Sequence, residues 1–207
     1  MRYTNNMKIY IDGLERSGNT FLAGAIGYTL CIQAVPLWSH KIEALENRNL
    51  DYPFVVPLRD ALPSLVSGKI YKDYAIANGL NKHNTGLYAD TEVVLQRYKD
   101  YTQYLLDNED LFIAPFHEFT KDHNAVIKVI GRTYKYSVNQ ILTAEQIIEK
   151  IGEKPELANP YLSNFPRESA KEKEEVEQMF LNNYKEDIDA IQSNIDKLYE
   201  RYYEKVK

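Results

Sequence analysis

The sequence predicts a three-layer α/β fold, with a mostly parallel sheet between helices and one long C-terminal helix. Three observations predict it. Short apolar runs ending in polar residues alternate with longer helical stretches from Lys8 to Ile130. The first apolar run opens directly into a loop with two glycines and then a helix start. From Arg167 onward, apolar residues recur at steps of four and three in an otherwise charged chain.

Each element follows from local chemistry. Lys8-Ile-Tyr-Ile11 reads as the first strand, and the apolar stretch from about Asn19 to Gln33 as a buried helix. Ala34 to Ser39 is a second short strand ending at His40, and Lys41 to Asn49 holds one helical turn and a loop. Phe54-Val-Val-Pro-Leu58 is a third strand ending in Arg59-Asp60, with irregular pairing expected at Pro57, which lacks an N–H. Ala61 to Ala77 is helical, with Pro63 tolerated in the first turn. Asn78 to Asp90 is a loop suited to covering a site. The next helix runs to about Asn108 on a stripe of Val94, Leu95, Tyr98, Tyr101, Leu105 and Leu106. Leu111 to Phe116 is a fourth strand. Thr120 or Asp122 caps a helix with Val126, Ile127 and Ile130 inside and a stop at Gly131. Thr143 caps a short helix to Ile151, and a proline-bearing loop spans Glu153 to Pro166. The final helix places Val176, Phe180, Tyr184, Ile188, Ile191, Ile195, Leu198 and Tyr202 on one narrow seam. Residues 1–166 thus form the α/β domain, and 167–207 a helix packed on that domain or on a partner subunit as a homodimer.

Bulk composition narrows the classes. A chain of 207 residues with 44% hydrophobic content can bury a full core. A net charge of -5 argues against general nucleic-acid affinity while leaving room for a local basic pocket. The single cysteine, Cys31, lies in an apolar helical run and suits a reducing compartment as a buried thiol. No apolar run reaches the roughly 20 residues of a membrane span, and Met1 to Met7 lacks a signal-peptide core. The expectation is a cytoplasmic protein with no membrane span and no nucleic-acid partner.

The candidate chemistry sits at strand ends. Gly13 and Gly18 have P-loop spacing, with Thr20 in the hydroxyl position, so the expected topology is P-loop-like and nucleotide-binding. Backbone N–H groups and the helix dipole favour an anion there. The lysine that should follow the second glycine is Asn19, and the cation in the loop is Arg16. Either the loop is a degenerate P-loop or it belongs to a different phosphate-binding class. Arg16, Ser17, Gly18, Asn19 and Thr20 together offer backbone donors, hydroxyls and a guanidinium to one tetrahedral anion. Arg59, with Ser67 eight residues on, offers a second anion site. His40 at the end of strand two can take a proton from a hydroxyl near neutral pH.

These residues resemble the sulfotransferase family, which transfers a sulfuryl group from 3′-phosphoadenosine-5′-phosphosulfate. Leu14-Glu-Arg-Ser-Gly-Asn-Thr-Phe-Leu22 is similar to that family's 5′-phosphosulfate loop, in which the cation precedes Ser-Gly as Arg16 does. The stretch from Phe54 to Ser67 is similar to its 3′-phosphate site, an apolar strand ending in Arg with a Ser eight residues later. Trp38-Ser-His-Lys41 resembles the segment that supplies the catalytic base, and Leu111 to Phe119 the family's late strand. The likeness covers residues 8 to 130, with Arg167 as a late basic contact. It implies that Arg16, Ser17, Gly18, Asn19 and Thr20 bind the 5′-phosphosulfate, and that Arg59 and Ser67 hold the 3′-phosphate. His40 is then the base, with Glu118 and Glu43 as carboxylate alternatives, and no metal is required. The acceptor is a small molecule or glycan bearing a hydroxyl or amine.

Three departures stand beside the likeness: Glu15 in place of a proline, Asn19 in place of a threonine, and Trp38 in place of a lysine, for which Lys41 is the nearest substitute. Two other readings use the same residues. One is a P-loop kinase or NTPase. The other is a catalytically inactive sulfotransferase-like binding or scaffold protein.

Overall fold

The computed structural model of the chain describes residues 7–14, 18–37, 39, 41–77, 90–153 and 170–207. Its strands are β1 (Lys8–Ile11), β2 (Gln33–Pro36), β3 (Phe54–Leu58) and β4 (Phe112–Pro115). Its helices are α1 (Asn19–Leu30), α2 (Ile42–Glu46), α3 (Ala61–Ala77), α4 (Thr91–Asp107), α5 (Phe116–Tyr134), α6 (Ala144–Gly152) and α7 (Ala170–Val206). The strands pair in the order β2-β1-β3-β4, all parallel.

Side chains alternate across the sheet, as a strand's period of two demands. Ile9, Ile11, Val55, Phe112 and Ala114 face a layer built by α1, α5 and α6. Phe54, Val56, Leu58 and Ile113 face the opposite layer of α3, α4 and α7. Both faces of β3 and β4 are therefore apolar, which explains why these strands read as continuous hydrophobic runs.

Pro57 does not disturb β3. The β3–β4 register runs unbroken through Pro57↔Ala114 to Leu58↔Pro115. The Val55 carbonyl accepts from Asp12 N–H on the β1 side. Backbone groups alternate sides along a strand, so the donor missing at Pro57 would point past the end of β1, where no ladder bond is lost.

Several boundaries differ from expectation. Helix α1 stops at Leu30, because Cys31 takes a left-handed conformation (φ 56°) and caps it. Cys31 is therefore a half-buried cap, its thiol directed to the Tyr28 carbonyl, and β2 begins earlier, at Gln33. Apolar Cys31 and Ile32 simply prolong the run, so the pattern reads straight through the turn. Helix α5 starts at Phe116, directly from β4, but breaks at Asp122 (φ -148°, ψ 85°), and there the expected cap forms, the Asp122 carboxylate accepting from Ala125 N–H. Gly131 does not end this helix. Lys135 does, at φ 59°, with Tyr136 N–H bonded to the Gly131 carbonyl in a Schellman closure. A Cβ at Gly131 would meet the Tyr136 carbonyl oxygen at 2.8 Å, so glycine is needed for the fold-back. Thr143 forms the expected cap, a reciprocal capping box with Gln146. The expected cover loop from Asn78 and the proline-bearing loop after Glu153 lie outside the described residues.

Helix α7 packs on its own chain. Phe180, Ile188, Ile191, Ile195, Leu198 and Tyr199 join the α3/α4 layer, whereas Tyr202 joins the α1/α5 layer edge-on to Phe112. The helix thus straddles the outer edge of β4. Arg201 donates to the Leu105 and Asn108 carbonyls and closes the C-terminus of α4. No helix among the described residues is long and apolar enough to cross a membrane.

Candidate functional site

The order β2-β1-β3-β4 makes the chain leave β1 for one side and then return past it to β3. In open parallel sheets the carboxyl ends at such a reversal are where ligands bind. Here that point lies between β1 and β3. Of the predicted anion residues, Gly18, Asn19 and Thr20 follow β1 and Arg59 follows β3.

Beyond β1 come Asp12, Gly13 and Leu14; Glu15, Arg16 and Ser17 lie outside the described residues. The chain is described again at Gly18, which caps α1 with φ 85°. A Cβ at Gly18 would meet Phe119 at 2.9 Å and Phe116 at 3.2 Å, so backbone conformation and space both require glycine. Asn19 is buried, and its Nδ2 donates to the Gly13 carbonyl at 3.0 Å. That bond ties the two ends of the loop. The Oδ1 of Asn19 is buried without a hydrogen-bond partner. Thr20 follows in the first turn of α1, half-buried, in a turn with no acidic residue. First-turn N–H groups and the helix dipole therefore favour a negative charge at this terminus.

Arg59 leaves β3 next door, its guanidinium carbon 4.8 Å from the centre of the Phe116 ring. The same ring borders Gly18, so Phe116 forms a shared floor between the two expected anion positions. Ser67 is buried on α3, in the layer opposite that of Phe116. Gly18 and Arg59 thus border one aromatic floor, with Asn19 and Thr20 next to Gly18 in the chain, and Ser67 is buried on the second turn of α3. His40, Trp38 and Arg167 lie outside the described residues.

Of the carboxylate alternatives, Glu43 is exposed on α2. Glu118 belongs to a compact polar cluster. Tyr203 Oη donates to Glu118 Oε1 at 2.9 Å, and His117 Nε2 lies 2.9 Å from the same phenol oxygen. Burial, then the hydrogen bond and charge of Glu118, push the Tyr203 phenol up to about 12.

Sequence reasoning missed Asp12 and Phe116. Asp12 is fully buried, and its Oδ2 accepts from Ser39 Oγ, which also receives Lys41 N–H. The ends of β1 and β2 are thereby joined. A carboxylate closing an apolar strand is the signal that could have found it. Phe116 carried only the pattern of another apolar strand residue. Among the described residues, no group of three or more His, Cys, Asp or Glu side chains is placed to hold a metal ion.

Compared with family models and with curated proteins, the chain finds no match. The site combines a glycine-capped helix terminus with an arginine at the end of the next strand, on either side of the Phe116 ring.

Proposed function

We propose that the protein is a sulfotransferase that moves a sulfuryl group from 3′-phosphoadenosine-5′-phosphosulfate to a hydroxyl or amine. One observation carries the reading. The α1 terminus at Gly18 and the Arg59 guanidinium flank one ring, Phe116, at the reversal point of the sheet. A donor with phosphate groups at both ends calls for two anion positions, and a helix terminus and an arginine on neighbouring strands suit that need. Asn19 supports it further. Where a nucleotide kinase places a lysine for the terminal phosphates, this chain has a neutral amide bonded to Gly13.

In this reading the acceptor oxygen or nitrogen attacks sulfur in line. The bond between sulfur and the bridging oxygen breaks, and its electron pair leaves with 3′-phosphoadenosine-5′-phosphate. The α1 terminus and Arg16 stabilise the charge growing on the departing phosphate oxygen. Arg59, steadied over Phe116, holds the 3′-phosphate, with Ser67 as its family-implied companion. The acceptor's proton passes to His40, with Glu118 the carboxylate alternative.

The test is ligand-induced stabilisation. 3′-Phosphoadenosine-5′-phosphate at roughly one hundred times its Kd should add about 2.7 kcal/mol of stability. For a chain of this size, that is a rise of roughly 5–10 °C in Tm. Arg59→Ala should weaken the same ligand about 10- to 100-fold in calorimetry, the size of a lost charge-assisted hydrogen bond. Stabilisation by ATP with Mg²⁺ and none by the bisphosphate would overturn this reading in favour of a kinase.

A further inference from the structure

The turn that carries Arg59 is held from outside by α7. Tyr199 Oη donates to the Leu58 carbonyl at 3.1 Å, on the residue just before Arg59. Gln192, two turns earlier on the same helix, accepts from Ala61 N–H at 2.9 Å and donates to the Asp60 carboxylate. Residues 58, 60 and 61 are therefore each bonded to α7, on both sides of Arg59. The ring beneath the guanidinium is tied to the same helix. Phe116 precedes His117 and Glu118, and both bond to Tyr203 of α7. His117 also packs edge-on against Tyr199, 4.9 Å between centroids.

We infer that Gln192, Tyr199 and Tyr203 are positioning residues that aim Arg59 at its anion, making the C-terminal helix part of the binding site. This rests on the proposed donor site for its ligand, while the clamp itself is a matter of bonds between α7 and the Arg59 turn. A side chain as long as arginine loses affinity when its backbone turn and its stacking ring are free to shift, because the ordering entropy then falls on the binding step. The coupling is reciprocal: an anion on Arg59 should tighten the docking of α7.

The test compares wild type, Tyr199→Phe, Gln192→Leu, the double variant, and each of these combined with Arg59→Ala. Two readouts apply, the Kd for 3′-phosphoadenosine-5′-phosphate and the Nε–H resonance of Arg59, assigned by its loss in Arg59→Lys. Near-ultraviolet circular dichroism confirms that each variant is folded. The double variant should weaken the bisphosphate about tenfold, a loss of about 1.4 kcal/mol. It should also move the Arg59 resonance to the position of exposed arginines. In the Arg59→Ala background the same changes should alter Kd less than about twofold, since coupled sites are non-additive. An unmoved Arg59 resonance in folded variants overturns the clamp, and so does a tenfold loss that persists without Arg59. If wild type fails to bind the bisphosphate at all, the donor reading fails, and the Arg59 resonance alone still decides the clamp.

Discussion

Gly18 meets two demands at one position. Its φ of 85° belongs to the left-handed region, and its missing Cβ is the space that Phe119 and Phe116 occupy. Alanine there meets backbone strain and ring contact together, so Gly18→Ala should cost roughly 1–3 kcal/mol in urea unfolding. It should also displace the α1 terminus and weaken the bisphosphate. Stability within about 0.5 kcal/mol of wild type would show that the loop relaxes freely. The sequence made this glycine visible through its spacing from Gly13. It left the partner rings invisible, because Phe116 and Phe119 come about a hundred residues later, and nothing local ties them to the loop. Asn19 was legible as a replaced lysine. Its bond across the loop to Gly13 was not, since a polar residue at a helix start reads equally well as solvent-facing.

Elements were more legible than their ends. The helix Ala61–Ala77 and the strand Phe54–Leu58 were read with their observed bounds, because proline, charge and apolar patterning change sharply there. α1 and α5 were misjudged where a non-glycine residue takes the left-handed turn, at Cys31 and Lys135, since no glycine marks the stop. The seam of α7 is legible in its spacing as far as Leu198, but the helix breaks at Tyr184 (φ -138°, ψ 24°) and Tyr202 crosses to the other layer, and spacing is silent about what the seam covers. The answer, two helices and the edge of β4, makes a clear expectation. Leu198 is fully buried, and Leu198→Ala should cost about 2–5 kcal/mol as a cavity in the core. Ile148, 61% exposed on α6, should tolerate alanine within about 0.5 kcal/mol. Equal losses at the two positions, measured by urea unfolding, would mean that α7 contributes no more than a surface contact.

At the scale of the whole molecule, the tyrosines acquire a meaning their abundance alone did not give. Burial raises the phenols of Tyr134, Tyr136, Tyr199, Tyr202 and Tyr203, with Tyr202 and Tyr203 reaching about 12. A phenol held neutral in the fold contributes stability that is fully present below its unfolded value of about 10. Between about pH 10 and 12 the unfolded chain ionises first, so stability falls steadily and is lost as pH rises through the folded value. The urea midpoint should drop across that window, with tyrosinate absorbance of the folded protein lagging behind free tyrosine. A flat midpoint from pH 10 to 12 would contradict the burial of Tyr134, Tyr199 and Tyr202; Tyr203 is 40% exposed and owes its shift also to Glu118. The helix that carries three of them, α7, has a consequence for how the protein is made. Until α7 has left the ribosome, the outer edge of β4 offers unpaired N–H and C=O groups, and both apolar layers lack a wall. A nascent chain stalled before Ile188 should therefore behave as a sticky, chaperone-bound intermediate, and folding should finish only after the last turns emerge.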